Sequence, residues 1–239
     1  MSENENPKYF SGWWALLFTL ISLQLFPLPF AFLINSLGDW VFQNPVTVDM
    51  SYFGQVNMHP IADNLISIFS MTTLIFFILW RMKIRKIPFS DIGTINFNPR
   101  DLYLSILILA IFIALEEIYM LILDIEIPQG FIEFMLSDPI LLSLISVVII
   151  APIAEEFIFR GFLYSQLSRT KLGPWGSISI ISLFWTIIHF QYEIKILFVL
   201  FFFGLFLGYL RIAYKSLGLP IMVHAINNIF AFSMAFYFS

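Results

Sequence analysis

Two adjacent glutamates and an arginine interrupt an otherwise apolar part of the sequence. Glu155, Glu156 and Arg160 follow directly after the run ILLSLISVVII at 140–150. On an α-helix, Glu156 and Arg160 lie on one face and are expected to form an ion pair. Glu155 is turned about 100° away, because a helix has 3.6 residues per turn, and is left without that partner. One carboxylate is therefore predicted to be structural, and the other to be available for chemistry.

Two further sets of polar residues lie in apolar segments near the C-terminus. In FWTIIHF, Trp185 and His189 are four residues apart, so the indole is expected to pack beside the imidazole. In MVHAINNIF, His224 and Asn228 share one helical face. A charged side chain in a bilayer costs at least about 2.5–3.5 kcal/mol. Polar residues in such segments are therefore expected to face the bundle interior, to pair with one another or to serve a function such as catalysis.

The elements that must position these sets are predicted to be membrane-spanning helices. The chain has 239 residues, of which 59% are hydrophobic and only 12% are charged, whereas a soluble domain carries roughly 25% charge. The composition predicts an all-α, polytopic membrane bundle that forms a single integral domain, 1–239, and encloses a polar cavity. About seven segments are apolar and long enough to span: 12–34, 61–80, 102–123, 140–159, 175–190, 195–213 and 219–238.

Composition also excludes some kinds of site and predicts an orientation. The chain has no cysteine, which excludes disulfides and thiolate metal sites, and no basic stripe indicates nucleic acid. If all seven segments cross, every Lys and Arg except Lys195 falls on one side. By the positive-inside rule, we expect a multi-pass protein of the cell membrane with a cytoplasmic N-terminus.

Equal spacing from a turn suggests that two of the sets meet. Glu155 and His189 are equally far along the chain from the turn near Leu172, so they are expected at equal depth in a helical hairpin. His224 fits this depth less well because it follows soon after Pro220. Either the 216–220 stretch dips into the protein, or the helices are tilted and bent.

Structural roles are the alternative for each polar residue. A Glu–Arg pair can tie two membrane helices together, and a buried histidine or asparagine often only bonds helices to each other. Glu116 and Glu117 are also in a predicted span, but Leu121 stands where an arginine would be needed to pair with Glu117. We expect a structural or gating role for these secondary acids.

Taken in order, the three sets form the patterns EExxxR, aromatic-xxx-H and HxxxN. This series resembles the CPBP family of intramembrane proteases, which includes the CAAX prenyl endopeptidases and bacterial Abi or bacteriocin-processing proteins. The resemblance covers about 140–238, which would form the catalytic core, whereas 1–135 carry no family signature. Trp185 departs from the family pattern, in which the second motif usually begins with Phe.

The resemblance implies hydrolysis of a peptide bond within or near the membrane. Glu155 and His189 would hold and deprotonate a water, and His224 and Asn228 would donate hydrogen bonds to the developing oxyanion. Arg160 would hold the second glutamate and shape the cavity.

A zinc enzyme is the alternative that the resemblance leaves open. Glu155, His189 and His224 would then form an open site with three protein ligands. The sequence contains no HExxH, so we favour the version that requires no cofactor.

The substrate expected from this resemblance is a membrane-associated peptide or lipopeptide, such as a bacteriocin or signalling precursor, and residue usage favours a bacterial origin. A different hypothesis is a non-catalytic immunity or regulatory protein that binds a membrane partner such as a sensor kinase. A transporter or channel, with the glutamates of 116–117 and 155–156 as an ion path, is less favoured because the sequence shows no repeated halves.

Overall fold

The computed structural model describes residues 8–33, 60–136 and 139–237. Most of these residues lie in helices. A short 3₁₀ segment, Phe89–Ile92, lies in the connector that precedes the third helix. The helices are α1 Gly12–Leu25, α2 Pro60–Ile84, α3 Pro99–Ile122, α4 Gln129–Met135, α5 Ile140–Leu167, α6 Gly173–Ile187, α7 Ile194–Tyr214 and α8 Gly218–Tyr237.

Six helices of the described residues are long and apolar enough to cross a membrane. They are α1 with its extension to Leu33, α2, α3, α5, α7 and α8. The predicted polytopic helical bundle is confirmed. The remaining predicted span corresponds to α6, which has 15 residues, whereas a membrane crossing takes about 20. A seventh crossing stays a prediction.

The start of α3 shows how local sequence sets a helix boundary. The sequence indicates a start at Asn98 or Pro99, and the structure confirms it. The Asn98 side-chain oxygen accepts a hydrogen bond from the Arg100 backbone N–H at 2.9 Å, and Pro99 occupies the first turn, where no N–H is needed.

Polar contacts join distant parts of the chain at the end of the bundle that carries Lys8, Arg85 and Arg169. Asp91 accepts hydrogen bonds from the Tyr9 hydroxyl at 2.7 Å and from Arg169 at 2.8 Å. The bond to Asp91 raises the pKa of Tyr9, because it favours the protonated phenol. These basic residues belong to the side predicted to be cytoplasmic, and the orientation itself stays a prediction.

The centre of the bundle is the second half of α5. Every residue from Phe157 to Leu163 is buried. Between α6 and α7, small residues allow close approach: a side chain added at Gly204 would meet Ser182, and one at Gly208 would meet Ile178. Close van der Waals packing of this kind is what holds helices together in lipid, where apolar surface alone gives little driving force.

The stretch before α8 dips into the protein, which was one of the two alternatives that the sequence left open. Residues 216–220 are all buried. The Leu217 backbone N–H donates to the Thr94 carbonyl at 2.7 Å, and Thr94 and Ser216 form an isolated β-bridge. The depth at which α8 begins is thus set by the connector before α3, which explains how His224 reaches the interior so soon after Pro220.

Gly218 is expected to be essential for this packing. A Cβ at this position would overlap the backbone carbonyl of Ile95, which cannot move aside as a flexible side chain can. We expect Gly218→Ala to lower the free energy of unfolding by about 1–3 kcal/mol, the usual cost of overpacking. Thermal unfolding of the purified protein in detergent measures this loss. In the control, Gly130→Ala, the added carbon meets nothing within 4 Å, and equal melting temperatures for the two variants would contradict the prediction.

Candidate active site

The glutamate pair lies between two π-helical segments of α5. Ile145–Ile150 and Phe157–Leu163 are π-helical, and Ala151–Glu156 between them is α-helical. Such wide turns are rare in proteins and are frequent at functional sites. They change the direction in which successive side chains leave the helix, so a regular spacing of 3.6 residues does not describe α5.

Each π-helical segment has a backbone carbonyl that a side chain from another helix binds. The Asn228 amide of α8 donates to the Val147 carbonyl at 2.8 Å. The Arg211 Nε of α7 donates to the Arg160 carbonyl at 3.0 Å. Asn228 was expected to serve an oxyanion. In this structure one of its contacts is to α5, and since an amide nitrogen carries two hydrogens, a second donor remains.

Glu156 and Arg160 form the predicted ion pair, with 2.9 Å between Oε1 and the guanidinium. The pair is almost fully enclosed, since Glu156 is 0% exposed and Arg160 is 1% exposed. Arg160 also donates to the Gly204 carbonyl at 2.9 Å, and its guanidinium carbon lies 5.2 Å from the centre of the Trp185 ring. Arg160 therefore connects α5 to α6 and α7.

His224 binds the same oxygen of Glu156, with its Nδ1 at 3.0 Å. Its ring stands edge-on to Trp185 and to Phe203, with centroids 5.8 and 5.7 Å away. The sequence did not indicate which glutamate His224 would contact. In the structure, His224 contacts Glu156, the glutamate that also pairs with Arg160. Glu156 therefore connects α5 to α8.

Glu155 has a different environment. Its Oε2 accepts a hydrogen bond from the Trp185 indole at 2.6 Å, a contact that the sequence did not predict. Glu155 was expected to lack the arginine partner, and among the described residues it has no ion pair and no second hydrogen bond. It is 9% exposed, against 0% for its neighbour. Each glutamate therefore has one oxygen without a hydrogen-bond partner among the described residues, but Glu156 Oε2 is fully buried, whereas Glu155 is partly exposed, so the accessible oxygen of the pair belongs to Glu155.

His189 contacts Trp185 twice. The ring centroids are 4.8 Å apart, which confirms the predicted packing. His189 Nδ1 lies 2.7 Å from the Trp185 carbonyl. A carbonyl only accepts, so Nδ1 carries the hydrogen and Nε2 is left as the acceptor of a neutral imidazole. Glu155 and His189 are thus brought together on one tryptophan, with no hydrogen bond to each other among the residues described.

The alternative zinc ligands do not converge in this arrangement. Glu155 is bonded to Trp185, and His224 to Glu156. Across residues 8–33, 60–136 and 139–237, no three His, Asp or Glu side chains are placed to hold a metal ion. We therefore derive no step through zinc, and the absence of a required cofactor stays a prediction.

The secondary acids lie elsewhere in the bundle. Glu116 borders a cavity of about 260 Å³ between α3 and α7, together with Tyr119 and Phe198, and Glu117 is exposed. A second cavity, of about 270 Å³, lies between α1 and α2 and includes Asp63. Neither cavity is lined by Glu155 or His189, so the predicted polar cavity around the site stays a prediction.

Tyr192 belongs to the site and was missed in the sequence. Its ring lies nearly parallel to that of His189, with an interplanar angle of 12° and centroids 6.4 Å apart. Burial raises the pKa of the Tyr192 hydroxyl; a side-chain hydrogen bond with Gln191 lowers it in part, and the negative charge of Glu155 adds to the rise. The available signal was an aromatic residue three positions after the candidate histidine.

Comparison with known proteins gives one match. The family model described as type II CAAX prenyl endopeptidase Rce1-like matches residues 137–230, the part of the chain that carries all three motifs. No match emerged from comparison with curated proteins or with solved structures.

Proposed function

We propose that this chain is an intramembrane endopeptidase of the CPBP family, a proposal supported by the match of residues 137–230 to the Rce1-like family model. The Rce1-like family is a family of proteases, and the described helices are those of an integral membrane protein. The proposed substrate is a membrane-associated or lipid-modified peptide, such as a bacteriocin or signalling precursor from a bacterium, which the enzyme cleaves without a required cofactor.

The single observation that carries the proposal is the unequal use of two adjacent carboxylates. Glu156 is enclosed and held by Arg160 and His224. Glu155 is fixed through one oxygen by the Trp185 indole, so that its second oxygen is both oriented and available. A base that is held in place but not consumed by an ion pair is what proton abstraction from water requires.

The proposed reaction uses this free oxygen of Glu155 as a general base. It takes one proton from a water as the water oxygen attacks the scissile carbonyl carbon. His189 Nε2 accepts a hydrogen bond from the same water. The tetrahedral intermediate then collapses, the C–N bond breaks, and the proton held by Glu155 passes to the leaving amine. The remaining donor of Asn228 would stabilise the oxyanion. His224 gives its Nδ1 hydrogen to Glu156, so it would add a second donor, Nε2–H, only as an imidazolium.

We expect His189→Ala to lower hydrolysis by about 10²-fold or more, within the range for groups that assist proton transfer. The assay uses the purified protein in nanodiscs with an internally quenched lipopeptide, and mass spectrometry identifies the new termini. Phe190→Ala is the control, since this neighbouring side chain is 53% exposed. Equal rates for parent and His189→Ala would remove His189 from the mechanism.

A separate arm tests whether catalysis is the function at all. The phenotype of a deletion strain is complemented with the parent gene and with Glu155→Gln. Full complementation by Glu155→Gln would overturn the proposal and favour a protein that acts by binding a membrane partner.

A further inference from the structure

We propose that Tyr192 is a positioning residue that holds the His189 imidazole against Trp185 and so fixes it for water activation. The inference rests on the proposed function and adds to it a residue outside the three motifs. Tyr192 lies in the short segment between α6 and α7, where the backbone has already left the helix, so its own placement must be explained first.

Tyr192 is anchored from two directions. Its backbone N–H donates to the His189 carbonyl at 3.0 Å, which closes the turn after α6. Its ring meets the edge of Phe131 from α4, with centroids 6.3 Å apart and an interplanar angle of 66°. Edge-to-face and offset parallel arrangements at such distances are the favoured geometries of aromatic pairs. The tyrosine ring is therefore fixed relative to His189 by the turn and backed by α4.

The imidazole lies in contact with two aromatic rings. Trp185 contacts it at 4.8 Å with a tilt of 58°, and Tyr192 lies nearly parallel to it at 6.4 Å. The hydrogen bond from Nδ1 to the Trp185 carbonyl sets the tautomer and holds one edge of the imidazole in place. The nearly parallel Tyr192 ring limits how far the imidazole can tilt about that edge. The direction of Nε2 is thus determined by Tyr192 as well as by the tryptophan.

Trp185 connects Glu155 to these rings. Its indole donates to Glu155, its ring packs on His189, and Tyr192 stacks on His189. The negative charge of Glu155 also opposes ionisation of the Tyr192 hydroxyl and so raises its pKa. A neutral phenol ring there adds packing without adding a charge that would pair with Glu155 and occupy its free oxygen.

The test separates the ring of Tyr192 from its hydroxyl. We expect Tyr192→Leu to lower kcat about tenfold to a hundredfold, because small misplacements of a catalytic group have effects of this size, with KM changed by less than about twofold. Tyr192→Phe keeps the ring and is expected to retain kcat within about threefold. The assay is hydrolysis of the internally quenched lipopeptide by the full-length protein in nanodiscs. A purely structural role would not move kcat at constant KM and constant melting temperature.

Tyr209→Leu is the matched control, because Tyr209 also stacks on another aromatic ring, that of Trp175, and is 41% exposed. If Tyr192→Leu does not fold, Phe131→Leu replaces it, since it removes the backing of Tyr192 and is expected to lower kcat about twofold to fivefold. Parental kcat in the folded variant, or equal losses in Tyr192→Leu and Tyr192→Phe, would overturn the inference.

If the parent shows no hydrolysis that Glu155→Gln abolishes, the proposed function fails and this inference falls with it. If Glu155→Gln is inactive and Tyr192→Leu is normal, only this inference fails.

Discussion

Glu155→Gln is expected to reduce lipopeptide hydrolysis by about 10²–10⁴-fold, the usual contribution of a general base. The amide is nearly the same size as the carboxylate, and its oxygen can still accept the hydrogen bond from the Trp185 indole. It cannot take a proton from water at neutral pH. The measurement is single-turnover cleavage by the purified variant in nanodiscs, with the melting temperature recorded in parallel.

Glu117→Gln is the control for this variant. This substitution makes the same chemical change, from carboxylate to amide, in another membrane helix, α3, where the Glu117 side chain is exposed. We expect it to cleave at the parental rate. A Glu155→Gln protein that cleaves as fast as Glu117→Gln would show that Glu155 is not the base, whatever the other variants do.

Glu156→Gln is expected to produce the opposite phenotype, a loss of stability. Arg160 is 1% exposed, and removal of its carboxylate leaves a buried charge without compensation. Breaking a buried ion pair from one side typically costs about 3–5 kcal/mol. We expect a large decrease in melting temperature and a low yield of folded protein, measured by thermal unfolding in detergent. Activity per folded molecule would change less than in Glu155→Gln.

The double variant Glu156→Gln/Arg160→Met tests the cause of that loss. Replacing both members of a buried pair avoids the unpaired charge and is often close to neutral. We expect the double variant to melt above Glu156→Gln, although His224 and the Gly204 carbonyl also lose contacts. If Glu156→Gln unfolds at the parental temperature, the pair is not what stabilises this part of α5.

Neighbouring glutamates with opposite phenotypes would be strong evidence for the site. Both residues are adjacent in sequence, both are buried and both contact residues of other elements. Their partners differ: a guanidinium and an imidazole for Glu156, and a neutral indole for Glu155. The partners thus assign one carboxylate to structure and leave the other for chemistry.

Local features of the site were predictable from the sequence. The pairing of Glu156 with Arg160 and the packing of Trp185 on His189 both join residues four apart, as the helical period predicted, and the first pair forms even though Arg160 lies in a π-helical segment. The N-cap at Asn98 and the helical bundle follow from short sequence signals and from composition in the same way. The order of the three motifs indicated the family that the comparison of residues 137–230 supports.

Contacts between helices were decided by the tertiary structure. The sequence did not indicate that Trp185 binds Glu155, that His224 binds Glu156, or that Asn228 binds the Val147 carbonyl. Each contact depends on the rotation and depth of two helices, and two π-helical segments alter the rotation of α5 on either side of the glutamates.

The sequence by itself thus determined which polar residues the membrane helices carry and which of them pair within one helix. The tertiary structure alone decided which residue each of them meets across the bundle. The physical reason is that contacts within a helix join residues three or four positions apart, whereas contacts between helices depend on the rotation of each helix and on where it begins. For α8 that start is set by a backbone hydrogen bond from Leu217 to Thr94, 123 positions earlier in the chain.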